Sequence, residues 1–189
     1  IGQWSIKNIE RNLDSMGMSD RKVRRLKEIL QYLENNSINE WIVGLHKGST
    51  RIPHLGLKSD DDFLKNHGFY EHIPVDRHTQ RFLFRTGILY WYLKRSNEEI
   101  LTLFQGTYNQ RYMLFQKALI KFAKEVCSDV YLSFSNGRMF LAENPGILDI
   151  LIWRHCGEDE LLGCKNICGS KPKCNKCVLK ETCLWYLSG

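Results

Sequence analysis

The chain of 189 residues is 43% hydrophobic and 12% aromatic, enough apolar mass for a core in one domain or two small lobes, which excludes a chain too polar to fold. It has no run of about eighteen apolar residues, and Ile1-Gly2-Gln3-Trp4 lacks the charged-then-apolar order of a secretory signal. An intracellular protein without a membrane partner is therefore expected, cytoplasmic or nucleoid-associated if prokaryotic, and a net charge of +6 favours a polyanionic partner without fixing one.

In chain order, Val23, Leu26, Ile29, Leu30 and Leu33 recur at three- and four-residue spacing among basic residues, predicting an amphipathic helix over 20–33. Ser19 or Asp20 is its expected cap, and Asn35-Asn36-Ser37 its end. A short helix over 38–45 follows. The segment Ile52-Pro53-His54-Leu55-Gly56-Leu57-Lys58 then makes a tight connection, with Gly56 free to take positive φ. A helix restarts at Lys58 or Ser59, with Asp60, Asp61 and Asp62 in its first turns and Gly68 at its end. Pro74 opens a helix running from Val75 or Asp76 to Arg85, with Gly87 as its stop. Further helices are predicted over 97–104 and 111–126. Over 130–142 the pair Asn136-Gly137 divides two apolar stretches and signals a hairpin, although a helical reading stays open.

Cys127 and Cys156 stand apart, whereas Cys164, Cys168, Cys174, Cys177 and Cys183 crowd within twenty residues. A disulfide framework belongs to short secreted chains, usually with cysteines spread throughout, so crowding in this chain points to metal. The arrangement Cys168-x5-Cys174-x2-Cys177-x5-Cys183 contains a single Cys-x2-Cys knuckle, where a zinc ribbon generally pairs two. Four soft thiolates suit either zinc or an iron-sulfur cluster.

This spacing resembles the iron-sulfur loop of the endonuclease III family, Cys-x6-Cys-x2-Cys-x5-Cys, shortened by one residue in its first interval. Lys171-Pro172-Lys173-Cys174 sits where that family has a basic, proline-containing run. The resemblance extends to Ile52-Pro53-His54-Leu55-Gly56-Leu57-Lys58-Ser59, similar to the hairpin signature Leu-Pro-Gly-Val-Gly-x-Lys-Thr, and to Pro74-Val75-Asp76-Arg77-His78-x-x-Arg81, similar to Val-Asp-x-His-x-x-Arg. Lys58 and Asp76 are eighteen positions apart, the family's interval between catalytic lysine and aspartate. The resemblance is specific over 51–87 and 147–187 and moderate over 11–50, where Leu13 to Leu33 resembles the stretch upstream of the hairpin.

The resemblance implies an all-α helix-hairpin-helix DNA glycosylase fold with an iron-sulfur cluster lobe, with a hairpin lobe over 1–70 and a helical lobe over 71–189; the Asn136-Gly137 signal leaves room for one small β-hairpin insertion. It implies a [4Fe-4S] cluster on Cys168, Cys174, Cys177 and Cys183, with zinc as the alternative metal and Cys164 as the alternative to Cys168. It implies a bifunctional glycosylase and abasic-site lyase of base excision repair. Lys58 would be the Schiff-base nucleophile and Asp76 its acidic partner. The partner would be double-stranded DNA carrying a damaged base or abasic site, contacted by His54, Gly56, Lys171 and Lys173. An oxidised pyrimidine is favoured, with an oxidised purine or mismatched uracil or thymine as alternatives. The rival reading is a noncatalytic iron-sulfur or zinc DNA-binding module.

The chemistry accounts for the pair. Removing a base from deoxyribose needs attack at C1′ while positive charge develops on the sugar, which a carboxylate offsets. A lysine attacks only as the neutral amine and then stays attached as an imine, which permits β-elimination. Because a stacked base is unreachable, the target has to be flipped into a pocket, expected between the two lobes.

Three departures from the family matter. His54 stands in place of the first hairpin glycine. Asp60, Asp61 and Asp62 follow the nucleophile, and are expected to face away from it or cap the helix. The region 90–142 carries extra length whose aromatic residues Trp91, Tyr108, Tyr112 and Phe115 are read as core rather than as stacking platforms; His78 and Arg81 are likewise read as structural. The first helices of the usual barrel have no counterpart, so either the chain is partial or another polypeptide completes the barrel; a monomer is expected unless another chain does so.

Overall fold

The computed structural model describes residues 19–51, 53–94, 97–135, 137–159, 161 and 163–188. Residues 13–18 of the stretch resembling the hairpin's upstream segment, Ile52 of the hairpin and Asn136 of the turn pair lie outside the described residues. Helices dominate, with one two-stranded sheet among the described residues. The chain divides into two compact units, one through Asp60 and the other Asp61–Gly189.

In the first unit α1 (Asp20–Asn35) covers the predicted helix. Ser19 is its N-cap residue but makes no side-chain capping bond, contrary to expectation. Its end follows the predicted chemistry: the Asn35 and Asn36 side-chain amides donate to the carbonyls of Gln31 and Tyr32 at 2.8 and 2.7 Å. After α2 (Ile38–His46) the loop folds back on the helix, with the Ser49 N–H donating to the Gly44 carbonyl at 2.8 Å. A Cβ at Gly44 would meet Thr50 Oγ1 at 2.4 Å, so this close return requires glycine. Helix α3 (Leu57–Asn66) starts one residue before the expected point and crosses the boundary between the units.

In the second unit α4 (Arg77–Thr86) begins at Asp76 as predicted, and Gly87 ends it with φ 83°. The same glycine is the N-cap of α5 (Ile88–Leu93), a helix that sequence reading did not resolve because the glycine signals only the stop. Helix α6 (Asn97–Gln105) leads to α7 (Tyr108–Val126) through a capping box in which Thr107 and Gln110 exchange side-chain and backbone bonds. Strands β1 (Tyr131–Phe134) and β2 (Gly137–Phe140) pair antiparallel, Tyr131 opposite Phe140 and Phe134 opposite Gly137, which settles the hairpin against the helical reading.

Helix α8 (Ile147–Cys156) enters at Gly146, where a Cβ would lie 2.5 Å from the His72 carbonyl and 2.7 Å from that of Tyr70. Helix α4 packs on α5 and α8, and α7 packs on α5 and α6. Leu64, Ile73, Val75, Leu83, Leu89, Leu119 and Leu141 are fully buried between these elements. Each such side chain contributes about 1.5–3 kcal/mol. Of the aromatics expected in the core, Tyr112 and Phe115 are buried and Trp91 is half-buried, whereas Tyr108 is 58% exposed. The tail closes with short turns at Cys174–Lys176 and Lys180–Thr182 and a last helical turn, α9 (Leu184–Leu187), against α4.

Candidate metal centre and catalytic carboxylate

The four predicted ligands converge. Cys168, Cys174, Cys177 and Cys183 line one cavity together with Arg85 and Trp185. The cavity is small, about 20 Å³. The backbone brings them together through local turns: the Cys177 N–H donates to the Cys174 carbonyl at 2.9 Å and the Cys183 N–H to that of Lys180 at 3.3 Å. The Lys173 N–H closes the wider loop on the Ile167 carbonyl at 2.7 Å. All seven cysteines are free thiols. Among the described residues, no three cysteine sulfurs lie within 4.8 Å of one another. Cys164 is buried against Gly157 and is not part of this cavity's lining.

Three residues that sequence reading did not connect with the loop hold it. The Arg85 guanidinium, at the end of α4, donates to the carbonyls of Gly169 at 2.7 Å and Cys168 at 3.3 Å and to Cys168 Sγ at 3.6 Å. It also lies 5.2 Å from the Trp185 ring, and the Cys183 thiol donates to its carbonyl at 3.1 Å. At the end of α8, His155 Nε2 lies 3.5 Å from Cys177 Sγ, and the fully buried Cys156 thiol hydrogen-bonds Cys168. That bond, with the charges of Arg85 and Arg81, draws the Cys168 thiol below its ordinary range despite burial. The same bond, together with burial, pushes the Cys156 thiol up. The His155 imidazole is held below its usual range by burial and by the Lys165 charge. Lys171 and Lys173 are exposed on the loop between the first two ligands.

Asp76 is half-buried, and one of its carboxylate oxygens, Oδ1, accepts from the His78 and Thr79 N–H groups, each at 2.8 Å. Thr79 in turn donates its hydroxyl to Asp149 Oδ1 at 3.2 Å, and Lys65 Nζ donates to Asp149 Oδ2 at 2.6 Å. Lys65 also reaches Asp62 at 3.1 Å. Burial pulls the Lys65 ammonium down, but two carboxylates outweigh it and its pKa is raised. Asp149 responds differently: burial raises it, Asp76 adds to the rise, and the single cation Lys65 only partly opposes them. His78 is 7% exposed and Arg81 half-buried; His78 Nδ1 and Arg81 Nη1 have no hydrogen-bond partner among the described residues.

In the first unit Lys58 lies half-buried in the first turn of α3. The hairpin conformation differs from expectation. His54, not Gly56, takes the left-handed conformation, with φ 64°, and its imidazole pairs with Glu28 of α1. Gly56 has no positive φ; its carbonyl accepts the N–H groups of Ser59 and Asp60 at 2.9 and 3.1 Å, and a Cβ there would meet nothing within 4 Å. The acids after Lys58 are engaged rather than merely capping. Asp60 and Asp61 are buried, and Asp61 accepts from Tyr112 at 2.6 Å, Gln116 at 2.7 Å and His72 at 2.8 Å.

An apolar groove of about 830 Å³ in the second unit is lined by Phe82, Trp91, Phe122, Leu148, Leu151 and His155, and shares Cys183 with the cysteine cavity. Comparison with family models, curated proteins and solved structures yields no match.

Proposed function

We propose that the chain is a bifunctional DNA glycosylase and abasic-site lyase, with Lys58 as nucleophile, Asp76 as its acidic partner and a [4Fe-4S] cluster on Cys168, Cys174, Cys177 and Cys183. The observation that supports it best is the convergence of those four thiols on one cavity, in a chain that also carries the hairpin lysine and the Asp76 element.

The donor set fits the cluster by its chemistry: four thiols, with Arg85 and His155 beside two of them. Four thiolates on one zinc ion, each about 2.3 Å from it, stand roughly 3.8 Å apart. In a cubane each thiolate binds a different iron, so the four stand farther apart than on a single zinc ion. When bound, the cluster supplies cohesion to the loop and takes no part in making or breaking bonds on DNA.

The reaction belongs to the side chains. The Lys58 Nζ lone pair forms a bond to C1′ as the glycosidic C–N bond breaks, and the base leaves with the bonding electrons and gains a proton. The Asp76 carboxylate offsets the positive charge developing on the sugar and accepts the proton released from the Lys58 nitrogen. Ring opening gives an imine; loss of a C2′ proton then expels the C3′ oxygen and nicks the strand. An oxidised pyrimidine is the favoured base. Lys171 and Lys173, exposed on the cysteine loop, are candidate phosphate contacts. His54, whose imidazole is engaged with Glu28, and Gly56, open at its Cα, are candidate backbone contacts on the hairpin.

Borohydride reduction in the presence of DNA with an abasic site is expected to yield a covalent adduct that Lys58→Ala abolishes. No adduct, or an equal one from Lys58→Ala, would falsify the lyase reading and leave a noncatalytic DNA-binding module. Protein purified without oxygen is expected to be coloured and to carry about four irons per chain; a colourless, zinc-loaded protein would replace the cluster with the alternative metal.

A further inference from the structure

Asp149 is a carboxylate at 7% exposure, flanked on α8 by the buried apolar residues Ile147, Leu148 and Ile152. Both its oxygens are used, one by Lys65 and the other by the Thr79 hydroxyl. Thr79 is fully buried and joins two carboxylates at once: its hydroxyl donates to Asp149 and its backbone N–H to Asp76. A buried ion pair is often no more stabilising than apolar residues of the same volume, so stability alone does not account for three buried polar groups meeting at one helix start. Placement does. With Oδ1 taken by two amides and Thr79 tethered from its other side, the position of Asp76 Oδ1 is set before any ligand arrives.

We infer that Asp149 is a positioning residue for Asp76, acting through Thr79, with Lys65 as its counter-ion. The inference rests on the reading of Asp76 as the reaction's carboxylate.

Thr79→Val tests it with little change of shape, since only the hydroxyl is lost, and Thr79→Ser restores that hydroxyl. Two quantities are measured: amide hydrogen exchange at His78 and Thr79 in the protein alone, and the single-turnover rate of adduct formation alongside the affinity for abasic DNA. In Thr79→Val the two amides are expected to exchange about tenfold faster than in wild type, while α7 is unchanged. Adduct formation is expected to slow by about five- to tenfold, with DNA affinity within about twofold of wild type. Thr79→Ser should recover both. Wild-type exchange in Thr79→Val overturns the inference, as does faster exchange with an unchanged adduct rate. A wild type that forms no adduct removes the Asp76 reading itself, and the exchange measurement still decides whether the Thr79 hydroxyl fixes the helix start.

Discussion

At the scale of single residues, Asp76 carries two tasks on one carboxylate: it caps α4 and, in the proposed reaction, faces the sugar. Asparagine keeps the capping oxygen and loses the charge. Asp76→Asn is thus expected to melt within about 2 °C of wild type while slowing adduct formation at least about a hundredfold, whereas Asp76→Ala also loses about 1 kcal/mol of stability. Thermal melts and single-turnover trapping on the same samples separate the two. His54 offers a second comparison. At φ 64° a Cβ is costly, so His54→Gly should be about 1 kcal/mol more stable than His54→Ala, both having lost the Glu28 pair. Asp76 was legible because Pro-Val-Asp announces a helix start locally. The left-handed position was not, since the glycine two residues later drew the expectation and histidine rarely takes that conformation. Arg85 and Cys156 were illegible for another reason: their contacts with Cys168 span 83 and 12 positions, and no local pattern encodes them.

At the scale of elements, six helices and the hairpin follow from periodicity and turn residues, within a residue or two at most ends. Helices α5, α8 and α9 escaped: α5 shares its glycine with the preceding helix, α8 is apolar on nearly every side, which blurs its period, and α9 is a single turn of four residues. The tie between α3, α4 and α8 through Lys65, Thr79 and Asp149 is equally a product of tertiary placement. Lys65→Met alone strands Asp149 in the interior and is expected to cost about 3–5 kcal/mol, whereas Lys65→Met with Asp149→Leu restores most of it. The pair also sets a pH signature. Lys65 has a folded pKa above its ordinary 10.5, so its contribution is complete below that value and is lost as pH rises through the folded one. Asp149 is also raised, so its contribution is gained as pH falls through its folded value towards 3.8. Relative to the double variant, the wild type should gain stability in acid, hold level near neutrality and lose it above pH 10.5, as read from melting temperature against pH.

At the scale of the whole molecule, the proposed binding to DNA is expected to weaken with salt in proportion to the phosphates that basic side chains neutralise. If Lys171 and Lys173 each neutralise a phosphate, replacing both with alanine lowers the slope of log K against log salt by about 1.8, with little effect on sequence preference. An unchanged slope would return both lysines to the solvated surface. The cavity of the four cysteines has one more consequence, in the order of events during synthesis. Its walls come from the end of α4 and from a loop that finishes at Trp185, and the Cys183 thiol reaches the Arg85 carbonyl across 98 positions. Such distant closure is slow and comes after local helices have formed. A nascent chain can therefore fold α4 through α8 while its thiols are still apart, and the proposed metal centre can be assembled only once Cys183 has been synthesised.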